Sequence, residues 1–299
     1  MEQYILEVNG LVKRYKDFSL EKVTFSLPEG YIMGFIGQNG AGKSTTIKAI
    51  MNLVPFEAGD IKIFGLDNKD HTVELRNKIG YVSEEQYFYE KMSVDWTGKF
   101  IGSFYPNWDQ HYFEKLLNQF KVEKTKKIKE LSKGMKVKLS MALALAHHPK
   151  LLILDEPTSG LDPVIRNELL ELFLDLIQDE KTSILFSSHI TSDIEKVADY
   201  ITIINDGKVI ISEDKHGILE NWGIIKAENS YFHQEIANKL AGLNKGDFGY
   251  SGATPDLEAF EVLFRKIFPQ GKYLVERITL DELLLRIVKD SEENVAIIS

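Results

Sequence analysis

Two short segments carry most of the chemical content of this 299-residue chain. In the first, Gly37-Gln38-Asn39-Gly40-Ala41-Gly42-Lys43-Ser44 has the spacing glycine, four residues, glycine, lysine, serine. Glycines at these positions let successive backbone N–H groups turn inward on phosphate oxygens, and a following helix presents its positive end to the same anion. The predicted cradle comprises Gly37, Asn39, Gly40, Ala41, Gly42, Lys43, Ser44 and Thr45. Lys43 reaches the β- and γ-phosphates and the Ser44 hydroxyl ligates magnesium, so the expected cofactors are ATP and Mg2+. With glycine near 7% of average composition, the pattern arises by chance in roughly one chain of this length in a hundred.

The second segment is Leu151-Leu152-Ile153-Leu154-Asp155-Glu156, a hydrophobic strand ending in two acids. Unpaired buried carboxylates are costly, so such a strand end points to a cation or to proton chemistry. Asp155 suits the magnesium shell and Glu156 suits polarisation of an attacking water.

These residues need a scaffold that presents strand ends to one site. Tyr31 to Ile36 is a near-continuous apolar run leading through the glycines into Ser44 to Ile50, which reads as strand, loop and helix, with Pro55 closing the helix. Ser93 to Ala146 reads as mostly helical, and Pro149 stops it before the Leu151 strand. A helix from about Ile165 to Asp179 and a strand from Ser183 to Ser187 continue the alternation, predicting a parallel sheet with helices on its faces. Before all of this, Tyr4 to Val8 and Val23 to Leu27 read as strands of a small antiparallel sheet. Beyond Ser212 the expectations are a strand at Gly223 to Ala227, helices at Phe232 to Leu240 and Leu257 to Phe268, and a last helix opened by Thr279-x-x-Glu282.

Composition narrows the function classes. Hydrophobic residues at 43% and charged residues at 27% are ordinary globular values, which excludes a disordered or fibrous chain. The balance of 36 basic against 45 acidic residues, net −9, argues against a dedicated nucleic-acid surface, so no nucleic acid is expected as a partner. Lys124, Lys126, Lys127 and Lys129 form a local cluster that reads as a solvated face. The absence of cysteine excludes disulfides, thiolate catalysis and cysteine-held zinc, and fits a reducing compartment. No apolar run approaches the roughly 18 residues of a spanning helix, so any membrane role needs a separate membrane partner.

Leu131-Ser132-Lys133-Gly134-Met135 before a helical stretch resembles the signature of ABC ATPases. With Gly37 to Ser44, Asp155-Glu156, Ser159-Gly160-Leu161-Asp162 and Ser187-Ser188-His189, it follows that family in order and spacing over about residues 4 to 212. The resemblance implies an α/β phosphate-loop NTPase of ABC type over 1–212, with an N-terminal antiparallel β subdomain and a helical subdomain at about 90–147; the rest, 213–299, carries no chemical motif and reads as a small α+β C-terminal extension, either a packing appendage or a regulatory or dimer-stabilising domain. It further implies a Mg2+-dependent ATPase subunit of an exporter, on the cytoplasmic face of the membrane. The partners implied are a transmembrane permease subunit and a second nucleotide-binding protomer, identical or homologous. Ser132 and Gly134 would then bind the γ-phosphate held by the opposite protomer, Tyr15 would stack on adenine, His189 would contact the γ-phosphate and Asp162 would communicate across the dimer. Read by themselves, Tyr15 is also an exposed turn aromatic, and Asp162 before Pro163 is also a helix cap. The rival reading is a soluble ABC ATPase acting on a nucleic-acid or protein assembly.

The chain also departs from the family pattern. Lys133 stands where glycine is usual and Met135 where glutamine is usual, and Glu84 aligns with a magnesium-contacting glutamine. A carboxylate there can still ligate magnesium but adds negative charge beside triphosphate. Together with Ser103-Phe104-Tyr105-Pro106-Asn107-Trp108, these variants resemble a bacterial exporter subgroup that includes acetoin-utilisation-linked and phenol-soluble-modulin exporter ATPases.

Overall fold

In the computed structural model, which describes residues 3–178 and 182–296, three sheets organise the chain. The first elements are β1 (Tyr4–Arg14), β2 (Ser19–Pro28), β3 (Ile32–Ile36), α1 (Lys43–Ile50), β4 (Ala58–Ile63), β5 (Leu66–Asp67), α2 (Thr72–Arg76) and β6 (Ile79–Val82). Helices α3 (Val94–Gly102), α4 (Gln110–Gln119) and α5 (Lys133–Leu145) follow. The chain then returns to β7 (Leu151–Asp155), α6 (Pro163–Ile177), β8 (Ser183–Ser188), α7 (Thr191–Val197), β9 (Tyr200–Asn205) and β10 (Lys208–Asp214).

Strands β2-β1-β4-β5 form the antiparallel sheet, and both leading strands run longer than their apolar cores suggested. The larger sheet has the order β10-β9-β3-β8-β7-β6. Its members β3, β7 and β8 are buried along their whole length, which is why they read as unbroken apolar runs rather than alternating ones. Because β3, β8, β7 and β6 pair in parallel, with Ile36 level with Ser188, Asp155 with Ser187 and Val82 with Leu154, their C-terminal ends line one edge. The phosphate loop, Glu84, Glu156 and His189 leave from that edge, where ligands gather in open parallel sheets, whereas Tyr15 lies between β1 and β2 and Ser132 precedes α5.

The expected helical stretch from Ser93 to Ala146 is three α-helices, capped by Ser93, Asp109 and Ser132, with a 3-10 turn at Ile128–Glu130 before the third. Helix α1 stops at Ile50, well before Pro55, since Asn52 turns out of it at φ 49. Helix α6 starts at Pro163 and is described to Ile177; Asp179, placed in this helix from sequence, lies outside the described residues.

Contacts divide the chain into two compact units, Met1–Val209 and Ile210–Ser299, so the division falls inside β10. The second unit continues with α8 (Lys215–Asn221), β11 (Gly223–Glu228), α9 (Gln234–Ala237), β12 (Ala241–Lys245), β13 (Gly249–Thr254), α10 (Leu257–Ile267), β14 (Tyr273–Arg277) and α11 (Leu280–Ala296). Its sheet, ordered β12-β13-β11-β14 and antiparallel throughout, is a split β-α-β-β-α-β arrangement. Ile225, Ile236, Tyr250, Phe260 and Phe264 form its core. The helix expected over Phe232 to Leu240 is corrected to a 3-10 turn at Asn229–Tyr231 and the four-residue α9. Sequence reading does not find β12, β13 or β14: the first two contain Gly242, Gly249 and Gly252 and lack a period-2 apolar pattern, and β14 is a five-residue edge strand with apolar residues adjacent rather than alternating.

Candidate functional site

The phosphate loop joins the end of β3 to α1. Gly42 is the N-cap of α1 at φ 112, a left-handed conformation, and a Cβ there would lie 2.6 Å from Leu20 Cδ2 and 2.9 Å from Phe18 Cζ. Only glycine allows the β1–β2 hairpin to close on the loop. Asn39 and Gly40 are exposed at the tip, Ala41 is buried, and Ser44 and Thr45 are half-buried in the first turn of α1. Among the described residues, no side chain caps α1, so the positive end of the helix is left to a ligand.

Lys43 is buried and its ammonium donates to the carbonyls of Gly37 at 2.6 Å and Gln38 at 3.1 Å. It also lies 3.1 Å from Glu156 Oε1, with both side chains 5% exposed. That contact is at ion-pair distance but off the hydrogen-bond line, so Oε1 is a buried acceptor without a hydrogen bond. The other oxygen, Oε2, lies 2.8 Å from His189 Nδ1. Glu156 itself adopts φ 50, a left-handed conformation uncommon outside glycine, immediately after β7. Strain of this kind, of order 1–3 kcal/mol, concentrates at functional sites.

Ser187 ties these groups together. Its hydroxyl donates to Asp155 Oδ1 at 2.8 Å and accepts from the Glu156 N–H at 3.0 Å. Ser44 Oγ donates to the same Asp155 oxygen at 3.1 Å. Burial pushes the Asp155 carboxyl above its ordinary range; the two serine hydrogen bonds and Lys48 work against that, and the Glu156 charge adds to it. Tyr81 on β6 is pushed up to about 12 by burial and by the Asp155 charge. In the sequence Ser187 is only part of a motif; its bridging role depends on the β7–β8 register, which sets it level with Asp155.

The remaining expected residues are placed as follows. Tyr15 sits in the β1–β2 hairpin, its N–H donating to Phe18 O at 2.7 Å and its half-exposed ring 5.0 Å from the Lys13 ammonium. Ser132 is the exposed N-cap of α5, accepting from Met135 N at 3.3 Å. Gly134 is buried under α6, where a Cβ would lie 2.5 Å from Ile165 Cδ1. Asp162 caps α6, accepting from the N–H groups of Val164 and Ile165 at 3.1 Å each. Glu84 is exposed two residues past β6 and has no hydrogen bond or ion pair among the described residues. Gln86 turns away from the sheet edge: its amide donates to Ser83 O at 2.5 Å and its Oε1 accepts from Ser140 on α5.

The donor set fits the expected ligands. Ser44 and Asp155 supply hard oxygen ligands of the kind Mg2+ takes, few enough to leave positions for phosphate and water. The buried Glu156 Oε1, ion-paired with Lys43 but without a hydrogen bond, is an acceptor that could take a water proton once that cation is drawn away.

A family model described as ABC transporter matches residues 20–159. The chain is 34% identical over 190 residues to the ABC transporter ATP-binding protein YtrB of Bacillus subtilis, covering 64% of this chain and 65% of that one. It therefore spans a little under two thirds of that relative's length. It is 36% identical over 216 residues to the lantibiotic transport ATP-binding protein SrtF of Streptococcus pyogenes, covering 71% of this chain and 92% of that one. A solved ATP-binding subunit of an ABC transporter superposes with a TM-score of 0.66 at 31% identity, over 72% of this chain and 92% of that chain.

Proposed function

The chain belongs to the ABC transporter ATP-binding family, and on that premise we propose that it is a Mg2+-dependent ATPase that powers export through a separate transmembrane subunit. The observation that carries the hydrolytic part is the convergence of Lys43, Asp155, Glu156, Ser187 and His189 at one sheet edge. Mg2+, held by Ser44 and Asp155 with Glu84 within reach of the same edge, would supply charge neutralisation on the phosphates. Triphosphate oxygens compete with Glu156 for the Lys43 ammonium, and loss of that pair leaves Glu156 free to accept a proton from the attacking water. His189, hydrogen-bonded to Oε2, orients the carboxylate so that Oε1 keeps its direction. Ser132 and Gly134 would complete the site of a second protomer, at the N-terminus of α5.

Export rests on a relative that serves lantibiotic transport. Among the described residues no helix is long and apolar enough to cross a membrane, so the membrane path would belong to a partner. An exposed aromatic cluster on and beside α3 supports such a partner. Tyr89, Trp96, Phe100 and Phe104 are all exposed and stack in a ladder with centroids 5.0–5.9 Å apart. Exposed aromatics in such number mark a protein contact. The net charge of −9 weighs against a nucleic-acid assembly in that place.

The test of the ATPase is Glu156→Gln, which keeps shape and loses the base. ATP binding should persist, phosphate release should cease, and an ATP-bound dimer should accumulate on size exclusion. Hydrolysis at the wild-type rate removes Glu156 from the reaction.

A further inference from the structure

Strand β14 ends the sheet of the second unit and, among the described residues, pairs with nothing on its outer side. Its two faces differ. Tyr273 turns into the core, 4.7 Å from the Phe264 ring, whereas Leu274, level with Lys226, faces the other way and is 68% exposed. Val275, beside it, is 50% exposed. Sheet edges are normally blunted, because a free edge with apolar side chains invites another strand.

The charges flanking these two residues admit one partner and one register. Lys272 precedes the strand without an ion pair among the described residues, and Glu276 lies two residues beyond Leu274, held 2.6 Å from Lys226. Two copies of this strand set antiparallel about Leu274 put Leu274 opposite Leu274, Tyr273 opposite Val275 and Lys272 opposite Glu276, twice. Moving the axis between Leu274 and Val275 sets Lys272 against Arg277, and moving it to Val275 sets Leu274 against Glu276. Opposite charges across a strand pair stabilise and like charges destabilise, so the alternation selects the first arrangement.

We infer that β14 is a self-recognition edge: the C-terminal units of two copies of this chain join by antiparallel pairing of Tyr273–Arg277 about Leu274, making one eight-stranded sheet. Such a contact is isologous and closes at two copies. It uses neither the phosphate loop nor the α5 N-terminus, so it holds two copies together without nucleotide. The rise in local concentration then favours every later encounter between the same pair.

The test uses the full-length chain, free of nucleotide and with Mg2+ chelated, so that failure of the ATPase reading leaves the result unaffected. The chain has no cysteine, so Leu274→Cys introduces a single thiol on the proposed two-fold axis. Mild oxidation should convert it to a covalent dimer. Val262→Cys, 67% exposed on α10, should stay monomeric. Lys272→Glu and Glu276→Lys should each lose the dimer alone, and an equimolar mixture should regain it as a heterodimer, since both cross-strand pairs are then opposite in sign. Equal cross-linking of the two cysteine variants, or a mixture that stays monomeric with both chains folded by circular dichroism, overturns the inference. A monomeric wild type whose β14 is instead covered by a different protein overturns it as well.

Discussion

The Lys43 ammonium lies 3.1 Å from Glu156 Oε1 inside the protein, so the cation that should grip phosphate and the carboxylate that should activate water neutralise each other in one chain. On the proposed roles, binding and catalysis would draw on the same ion pair, and changing either member should also change stability.

Lys43→Ala should weaken ATP binding and also destabilise the nucleotide-free chain by about 3 kcal/mol, because it leaves a buried carboxylate without its cation. Lys43→Ala combined with Glu156→Gln should recover most of that loss while remaining inactive. Urea denaturation of both variants decides the matter. Equal stability of wild type and Lys43→Ala would show that the pair carries no net energy.

Glu84 is exposed but leaves the same sheet edge as Asp155, one strand away. Glu84→Gln should retain ATPase activity and raise the Mg2+ concentration for half-maximal rate, since a charged oxygen is lost and an amide oxygen remains. Superimposable Mg2+ titrations would remove Glu84 from the metal's surroundings.

The aromatic ladder on α3 gives a test that separates coupling from chemistry. Phe100→Ser removes the ring that contacts Tyr89, Trp96 and Phe104, and should cost about 2 kcal/mol of affinity for the transmembrane partner. The ATPase rate of the isolated chain should stay within about twofold of wild type. Co-purification with the partner measures the first and phosphate release the second; undiminished association would place the contact elsewhere.

His147 sets a pH dependence for stability. It stacks on Tyr105 with centroids 4.1 Å apart, its Nε2 lies 3.1 Å from Ile79 O, and its Nδ1 is buried without a partner. Burial holds its pKa below the ordinary value, so the folded chain resists a proton that the unfolded chain takes up near pH 6.5. The neutral form's stability is thus intact above about pH 6.5 and falls as pH drops toward the lowered folded value, by at most about 1.4 kcal/mol per pH unit. His147→Gln keeps a donor for Ile79 and should flatten this acid-side slope. Unfolding free energies at about pH 5.5 and 7.5 report it, and an unchanged slope would exclude His147 as the source.

Most of the candidate site is legible in the sequence. A phosphate cradle is built from contiguous backbone, and its glycines, Lys43 and Ser44 are a local requirement that sequence must spell out. The same holds for Asp155-Glu156, since a buried strand that ends in acids announces itself, and for Asp162, where capping was one of two readings and the hydrogen bonds to Val164 and Ile165 are present. What only the tertiary structure decided are relationships across strands and between side chains. Ser187 bridges Asp155 and Glu156 because β7 and β8 pair in one register, and Lys43 reaches Glu156 because β8 alone separates their strands. Neither fact has a local signature. The C-terminal sheet was the least legible part: its strands are short, three of the four carry glycine, and what makes them strands is pairing with a neighbour rather than their own pattern of burial. Exposure was hidden in the same way. The residue types of Trp96, Phe100 and Leu274 do not say whether they are buried, and only packing shows that each is left exposed, because burial belongs to the arrangement of elements and not to the residue.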